Sequence, residues 1–414
     1  MLNFKNEAPY VEGVALEDID KVQKTPYYIY SQAKISDSYN KLKDAVDSKI
    51  YFAVKSNSNQ AILKLMNSLG AGADVVSIGE LKRSLEAGIS SSKIVYEGVG
   101  KSKEDLIFAI NANIKQINIE SLEEIGLIDQ ISRSLQKKIN VGIRLNPNID
   151  SKSIDKISTG KNTDKFGISI EDINTIENFL NSSKNLNLIS ISCHIGSQIN
   201  ETKVFENVFK IMKEAAKQFI EKGFKIESVD LGGGMGVKYN ADDKVLDLDL
   251  LKKAIKKYFS NVPYEISFEP GRYLLANAGI LITSILTTKI NGGINYLITD
   301  AGMHSLIRPA LYNSYHSIEV FKKHKLKECK YTIAGPICES SDIFAKNILL
   351  PEQKTGNKLI IRDVGAYGAV MASNYNSRGL PAEILVNQEA FSIIHKPITI
   401  EKYIQLDLIP NWLA

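Results

Sequence analysis

From residue 50 onward the chain alternates short apolar runs with longer amphipathic stretches. Apolar runs rich in β-branched residues fall at 51–54, 74–77, 94–96, 116–119, 141–145, 189–193, 229–231 and 266–268. Between them apolar residues recur at helical spacing, as at 61–69 and 80–87. A strand that is apolar throughout is buried on both faces, and strands separated by covering helices pair in parallel. Eight such units in roughly 250 residues predict an α/β fold built on a (β/α)8, TIM-like barrel. An open doubly wound sheet is the competing arrangement, but no strand-order signal favours it.

After Arg272 the pattern changes. Residues 280–299 alternate apolar and polar, Asn291-Gly292-Gly293 marks a turn, and further short runs occur at 330–333, 358–362 and 383–386. These predict a C-terminal β-sandwich or Greek-key β domain. Pro26-Tyr27-Tyr28-Ile29-Tyr30 precedes the first barrel strand, needs a sheet partner, and is assigned to that domain. The expected division is a barrel at 33–275 and a β-rich domain made of 1–32 and 276–414. The polar stretch 148–165 reads as a long loop on the active face.

Composition narrows the function. Of the 414 residues, Lys and Arg number 51 and Asp and Glu 47, a small and scattered excess that gives nucleic acid no basic patch. Three cysteines (Cys193, Cys329, Cys338) have no metal-ligand spacing and form no even disulfide framework, which fits a reducing compartment without a structural metal. Residues 1–7 lack the apolar segment of a secretory signal, and the longest apolar stretch, 276–283, is too short to cross a bilayer. A cytoplasmic protein without membrane partners is the expectation.

Candidate chemistry gathers at strand ends, where barrel active sites lie. Tyr51-Phe52-Ala53-Val54-Lys55 ends an apolar run in a lysine. Poor hydration there would disfavour the ammonium, and a neutral amine can form a Schiff base with a carbonyl. His194 follows the run 189–193 and could stack on a flat ligand or move protons. In Asp230-Leu231-Gly232-Gly233-Gly234, the glycines let backbone N–H groups approach an anion. The run is not a Rossmann fingerprint and lacks the Gly-Lys-Ser/Thr of a nucleotide-binding loop. In Phe268-Glu269-Pro270-Gly271-Arg272, Glu269 could hold a pyridine nitrogen protonated, and Arg272 could clamp a carboxylate or phosphate. Downstream, Cys338 beside Glu339 could shuttle a proton, and Arg308, Tyr312 and Tyr367 suit a zwitterionic amino acid.

In this order, Ala53-Val54-Lys55, His194-Ile195-Gly196-Ser197, Gly232-Gly233-Gly234, Glu269-Pro270-Gly271-Arg272, Arg308-Pro309-Ala310-Leu311-Tyr312, Cys338-Glu339-Ser340 and Ala366-Tyr367-Gly368 resemble the fold-type III, pyridoxal-phosphate-dependent amino-acid decarboxylases, and among them the diaminopimelate decarboxylases. The likeness covers about Tyr27 to Glu383. It implies pyridoxal 5'-phosphate as cofactor and decarboxylation of meso-2,6-diaminopimelate to L-lysine and carbon dioxide. It further implies that Lys55 carries the cofactor and His194 stacks on its ring. Glu269 would pair with the ring nitrogen, while Ser197, Gly232, Gly233, Gly234, Pro270, Gly271, Arg272 and Tyr367 would surround the cofactor and its phosphate. Arg272, Arg308, Tyr312 and Tyr367 would face the substrate, Glu339 its distal amine, and Cys338 would donate a proton. In the family the Cys338-Glu339 loop comes from a neighbouring subunit, which implies a homodimer with shared active sites. Departures are an Ile at position 78, where Gly is frequent, and Met303-His304-Ser305 in place of Met-Asn-Asp; His304 could tune substrate binding from the mouth. Competing readings are a related decarboxylase of ornithine, arginine or carboxynorspermidine, a non-catalytic cofactor-binding homologue, and an amino-acid racemase.

Overall fold

The computed structural model describes residues 1–149, 159–160, 163–323 and 326–413. The expected loop at 148–165 therefore lies mostly outside the described residues. The chain forms two compact units: 38–237 with 244–274, and 1–37 with 238–243 and 275–414.

The first unit is the barrel. Its strands are β1 (Lys49–Ala53), β2 (Gly72–Val75), β3 (Ile94–Tyr96), β4 (Gln116–Ile119), β5 (Ile139–Asn146), β6 (Leu186–Ser192), β7 (Ser228–Asp230) and β8 (Glu265–Phe268). Each pairs in parallel with the next, and β8 closes on β1 through Ser267↔Lys49 and Phe268↔Ile50. Each of the eight apolar runs in the sequence overlaps one of these strands. The strand interiors are buried almost throughout, as a parallel sheet covered on both sides requires.

Four of the helices begin where a side chain supplies an oxygen for their open N–H groups. Asn59 caps α1 (Gln60–Ser68), Ser77 caps α2 (Ile78–Glu86), and Ser102 with Asp105 forms a capping box on α3 (Lys103–Asn111). Ser121 caps α4 (Leu122–Leu135). α5 (Ile173–Ser182) follows β5, and Thr202–Glu221 forms α6. α6 buries Val204, Phe205, Val208, Phe209, Met212, Ala215, Ala216 and Phe219, a single face at helical spacing. Each large side chain so buried contributes about 1.5–3 kcal/mol. These helices leave the strands' carboxyl ends to the loops, which carry Lys55, His194, Gly232 to Gly234 and Glu269.

The second unit is β-rich. Its long strand Gly279–Asn291 pairs early with Tyr27–Ser31 and Lys358–Arg362 and later with Ile294–Thr299, with an irregular register between Ile285 and Thr287. Gly292 and Gly293 (φ 56° and 77°) make the two-residue turn, a conformation that disfavours side chains. Tyr27–Ser31 also pairs with Ala382–Asn387. Tyr27, Ile29, Ile280, Ile282, Ile360 and Ile384 share one core with Val11, Val14 and Leu16. Residues 238–243, which the sequence groups with the barrel, fold with this unit, and Asn277 donates to the Lys238 carbonyl at 2.9 Å.

Candidate active site

β1 ends at Ala53, and a single 3-10 turn, Val54–Ser56, presents Lys55. Its Nζ donates to Asp74 Oδ2 on β2 at 3.1 Å. This corrects the expectation of an amine kept neutral by poor hydration. The Lys55 side chain is 35% exposed, and its counterpart Asp74 is fully buried. A carboxylate at that distance favours the ammonium form. Position rather than dehydration therefore marks this lysine: the turn fixes its backbone, and the ion pair fixes its head group.

Glu269 follows β8 directly. Its backbone N–H donates to the Gly232 carbonyl at 2.8 Å, which ties it to the glycine run. The side chain is 4% exposed. Its Oε1 has no hydrogen-bond partner among the described residues. Burial holds its carboxyl well above the ordinary range, and repulsion from Asp230, Asp74 and Glu97 adds to this, with Lys55 opposing. A buried carboxyl oxygen without a donor is costly, and a cationic N–H donor from a ligand would relieve that cost.

His194 follows β6. Gly233 N–H donates to its Nδ1 at 3.1 Å, so the ring proton is assigned to Nε2. Burial first, then the charges of Lys55 and Arg144, hold His194 well below the usual imidazole range. A neutral ring fixed by one nitrogen suits stacking on a flat ligand better than carrying positive charge.

The loops expected at a phosphate are stitched together. Arg272 Nε donates to Ser197 Oγ at 3.0 Å. Gln198 and Val237 exchange two hydrogen bonds of 2.9 Å, and Ile199 N–H donates to the Gly234 carbonyl at 2.9 Å. Ala53 N–H donates to the Pro270 carbonyl at 3.2 Å. The glycines are required first by this packing. A Cβ on Gly232 would lie 2.3 Å from the Cys193 carbonyl oxygen, one on Gly233 2.2 Å from that of Glu269, and one on Gly234 2.4 Å from that of Gly196. On Gly271 a Cβ would meet the side chain of Ser56 at 2.9 Å. Gly233→Ala should therefore cost about 1–3 kcal/mol by overpacking. That is a fall of about 2–10 °C in the melting temperature of the cofactor-free protein. Calorimetry would check it, and an unchanged midpoint would contradict the packing account.

Behind these groups lies a buried polar network that the sequence reading missed. Asn118 Nδ2 donates to Glu97 Oε1, which also accepts from Ser192 Oγ at 3.0 Å. Arg144 bridges Glu120 at 2.8 Å and Glu97 at 3.6 Å. Burial pushes Glu97 up to about 7, Arg144 opposing it and Glu120 and Asp74 adding to it. Asp230 accepts from Gly232 N–H at 2.7 Å and Ser267 Oγ at 2.5 Å. The interior so collects Asp74, Glu97, Glu120, Asp230 and Glu269 around Lys55 and Arg144, a surplus of acid that suits a ligand bearing positive charge. The available sequence signal was an acidic or amide residue placed within or just after an otherwise apolar strand.

The remaining predicted residues belong to the β-rich unit. Arg308 opens the short helix Arg308–Tyr312, with Pro309 in its first turn, and Tyr312 ends it half-buried. The Arg308 guanidinium is buried. Its Nη1 donates to Tyr239 Oη at 3.0 Å and His316 Nε2 at 3.1 Å, and its Nη2 to Ser314 Oγ at 3.3 Å. Cys338 is exposed, and its backbone N–H donates to Asn376 Oδ1 at 2.9 Å. Glu339 is also exposed and accepts from Tyr375 Oη at 2.6 Å. Asp342 shapes this loop by accepting from Ile337 N–H at 2.8 Å and Met303 N–H at 2.6 Å. Tyr367 has φ 55°, a left-handed conformation that costs energy for a non-glycine residue. His304, expected to tune binding from a mouth, is 3% exposed and bonded to Ser305 Oγ at 3.1 Å. Burial, then Arg378, lowers His304 to about 4.

Comparison with known proteins agrees with this inventory. Residues 32–276 match the pyridoxal-binding domain of the pyridoxal-dependent decarboxylases. A diaminopimelate decarboxylase of Aquifex aeolicus is 37% identical over 95% of this chain and 94% of its own length. The solved diaminopimelate decarboxylase of Helicobacter pylori, complexed with L-lysine, is 37% identical, with a TM-score of 0.90 over 94% of this chain and 98% of that one. That of M. jannaschii, also with L-lysine, is 34% identical, with a TM-score of 0.94 over 100% of this chain and 99% of that one. A strand-end lysine, a buried glutamate with one oxygen lacking a donor among the described residues, and near full-length likeness to these proteins lead to one conclusion: the chain belongs to the diaminopimelate decarboxylase family of the pyridoxal-dependent decarboxylases.

Proposed function

We propose that this protein decarboxylates meso-2,6-diaminopimelate to L-lysine and carbon dioxide, the last step of lysine biosynthesis, with pyridoxal 5'-phosphate as cofactor. The observation that carries the reading is Glu269 Oε1, buried at the barrel rim without a donor among the described residues. Glu269 would hold the cofactor's ring nitrogen protonated, a positive charge that this acid and its neighbours favour. When bound, the cofactor provides an electron sink for the bond that breaks at the substrate's α-carbon.

The chain's own groups divide the remaining work. Lys55 Nζ would hold the cofactor's aldehyde end, and Asp74 positions that nitrogen through their 3.1 Å contact. His194 would stack against the ring as a neutral imidazole. Ser197, Gly232, Gly233, Gly234, Pro270, Gly271, Arg272 and Tyr367 surround the phosphate end. Arg308 and Tyr312, with Arg272 and Tyr367, bind the carboxylate that stays on the product, and Glu339 holds the amine beside it. Cys338 Sγ–H delivers a proton to the α-carbon once carbon dioxide has left. A diamine-forming decarboxylase needs no cation for a second carboxylate, so the buried, multiply bonded Arg308 favours the two-carboxylate substrate over ornithine or arginine.

The working unit is proposed to be a homodimer in the cytoplasm. Exposure of Cys338 and Glu339 on the single chain supports the first. Three free cysteines support the second. Among the described residues no helix is long and apolar enough to cross a membrane. Purified protein should sediment at twice the chain mass and release carbon dioxide and L-lysine from meso-diaminopimelate but no carbon dioxide from ornithine. Release from ornithine alone, or from neither substrate with cofactor present, would refute the substrate assignment. A chain-mass species with full activity would refute the dimer.

A further inference from the structure

A buried histidine accepts a hydrogen bond from the guanidinium of Arg308. His316 is 2% exposed. Its Nδ1 lies 2.9 Å from the Arg362 carbonyl oxygen. A carbonyl only accepts, so Nδ1 carries the proton. The Nε2 lone pair is then left facing Arg308 Nη1 at 3.1 Å. The backbone of Arg362 so selects the tautomer that can hold Arg308. Arg362 itself is anchored by Glu319, whose Oε1 lies 2.7 Å from its Nη1.

Tyr239 completes the arrangement. Its ring meets the His316 ring edge-on at 5.5 Å and 84°, and the Arg308 guanidinium lies 4.9 Å from its centroid. Its hydroxyl accepts from the same Nη1 that His316 holds. Its backbone is fixed by Asp243, which accepts from Tyr239 N–H at 2.9 Å. An imidazole, a phenol and the Ser314 hydroxyl, none of them an acid, orient the guanidinium. An acid in the place of His316 would orient Arg308 equally well, but would spend its charge on an internal pair and weaken its hold on an anionic ligand.

We propose that His316 is a positioning residue that holds Arg308, through a neutral Nε2 acceptor, for the substrate carboxylate, and that it thereby sets the preference for carboxylate-bearing diamines over plain diamines. The inference rests on the reading of Arg308 as a carboxylate clamp. His316 touches neither the substrate nor the reacting atoms, so its removal should act on recognition and leave the chemical step largely intact.

The test uses the cofactor-loaded enzyme and two isosteric variants that divide the two bonds. His316→Gln keeps an acceptor near the Nε2 position and loses the donor to Arg362. His316→Asn keeps the donor near the Nδ1 position and loses the acceptor for Arg308. The readouts are KM and kcat for meso-diaminopimelate and the inhibition constants of L-lysine and 1,5-diaminopentane, which lacks a carboxylate. A lost hydrogen bond to a charged group corresponds to roughly 10–150-fold. His316→Asn should therefore raise KM and the L-lysine constant by about that factor, with kcat within about threefold of wild type and the 1,5-diaminopentane constant unchanged. His316→Gln should stay within about fivefold of wild type on every readout. Arg308→Ala, run alongside, should abolish the preference for L-lysine over 1,5-diaminopentane. If Arg308→Ala abolishes it and His316→Asn leaves it intact, or if the Gln and Asn variants lose it equally, the positioning role is wrong. If Arg308→Ala leaves the preference intact, the clamp itself is wrong, whatever the His316 variants do.

Discussion

Lys55→Ala should lower turnover of meso-diaminopimelate by about 10⁴–10⁶-fold, the scale on which loss of a covalent catalytic group is felt. Two consequences of the substitution have to be separated. The first is chemical, because the amine that carries the cofactor is gone. The second is structural, because the fully buried Asp74 loses its cation. Leaving a buried acid unpaired costs stability, discounted here because Lys55 is itself 35% exposed. Lys55→Arg divides the two. Its guanidinium can still face Asp74, so the melting temperature should recover most of any loss, while activity should remain as low as in the Ala variant. Turnover assays and thermal unfolding on the pair check this. Activity within about tenfold of wild type in either variant would contradict the role of Lys55.

Glu269→Gln should reduce kcat by about 10²–10³-fold, as expected when a preorganised electrostatic partner of the reacting system is removed. An amide can hydrogen-bond a ring nitrogen, but it cannot balance the charge of a protonated one. The same substitution should stabilise the cofactor-free protein near neutral pH. Burial and three neighbouring acids raise the folded carboxyl well above the ordinary carboxyl value of about 4.3. As pH rises past that value the unfolded chain loses this proton first, so the folded state is progressively disfavoured. Glutamine carries no such penalty. Activity and apoprotein stability should thus move in opposite directions, which a merely structural glutamate would not produce. A fall in both at neutral pH would show that Glu269 is held by partners in the fold rather than set aside for the cofactor.

Much of the barrel was legible in the chain because burial on two faces leaves a plain mark: short runs of Ile, Val, Phe and Tyr with little polar interruption. The chemistry was legible for a related reason. Lys55, His194 and Glu269 each follow such a run immediately, so the end of the apolar pattern is also the place where the side chain emerges. The contacts that tune these groups left no comparable mark. Asp74 reads as one acid among many until β1 and β2 are laid side by side. The bond between Arg308 and His316 depends on a turn after a five-residue helix, and Tyr239 reaches the pair from a segment that interrupts the barrel sequence. The surroundings of Lys55 were hidden for the same reason. Apolar neighbours in sequence suggest poor hydration, whereas its side chain is 35% exposed and meets Asp74 on the next strand. The glycine run was read as room for an anion. Its first duty is close packing of three backbone carbonyls, which periodicity cannot reveal.

Borohydride reduction of the cofactor-loaded enzyme, followed by proteolysis and mass spectrometry, tests the central claim most directly. A single pyridoxyl adduct on Lys55 is the expected result; an adduct on another lysine, or none, would contradict the account.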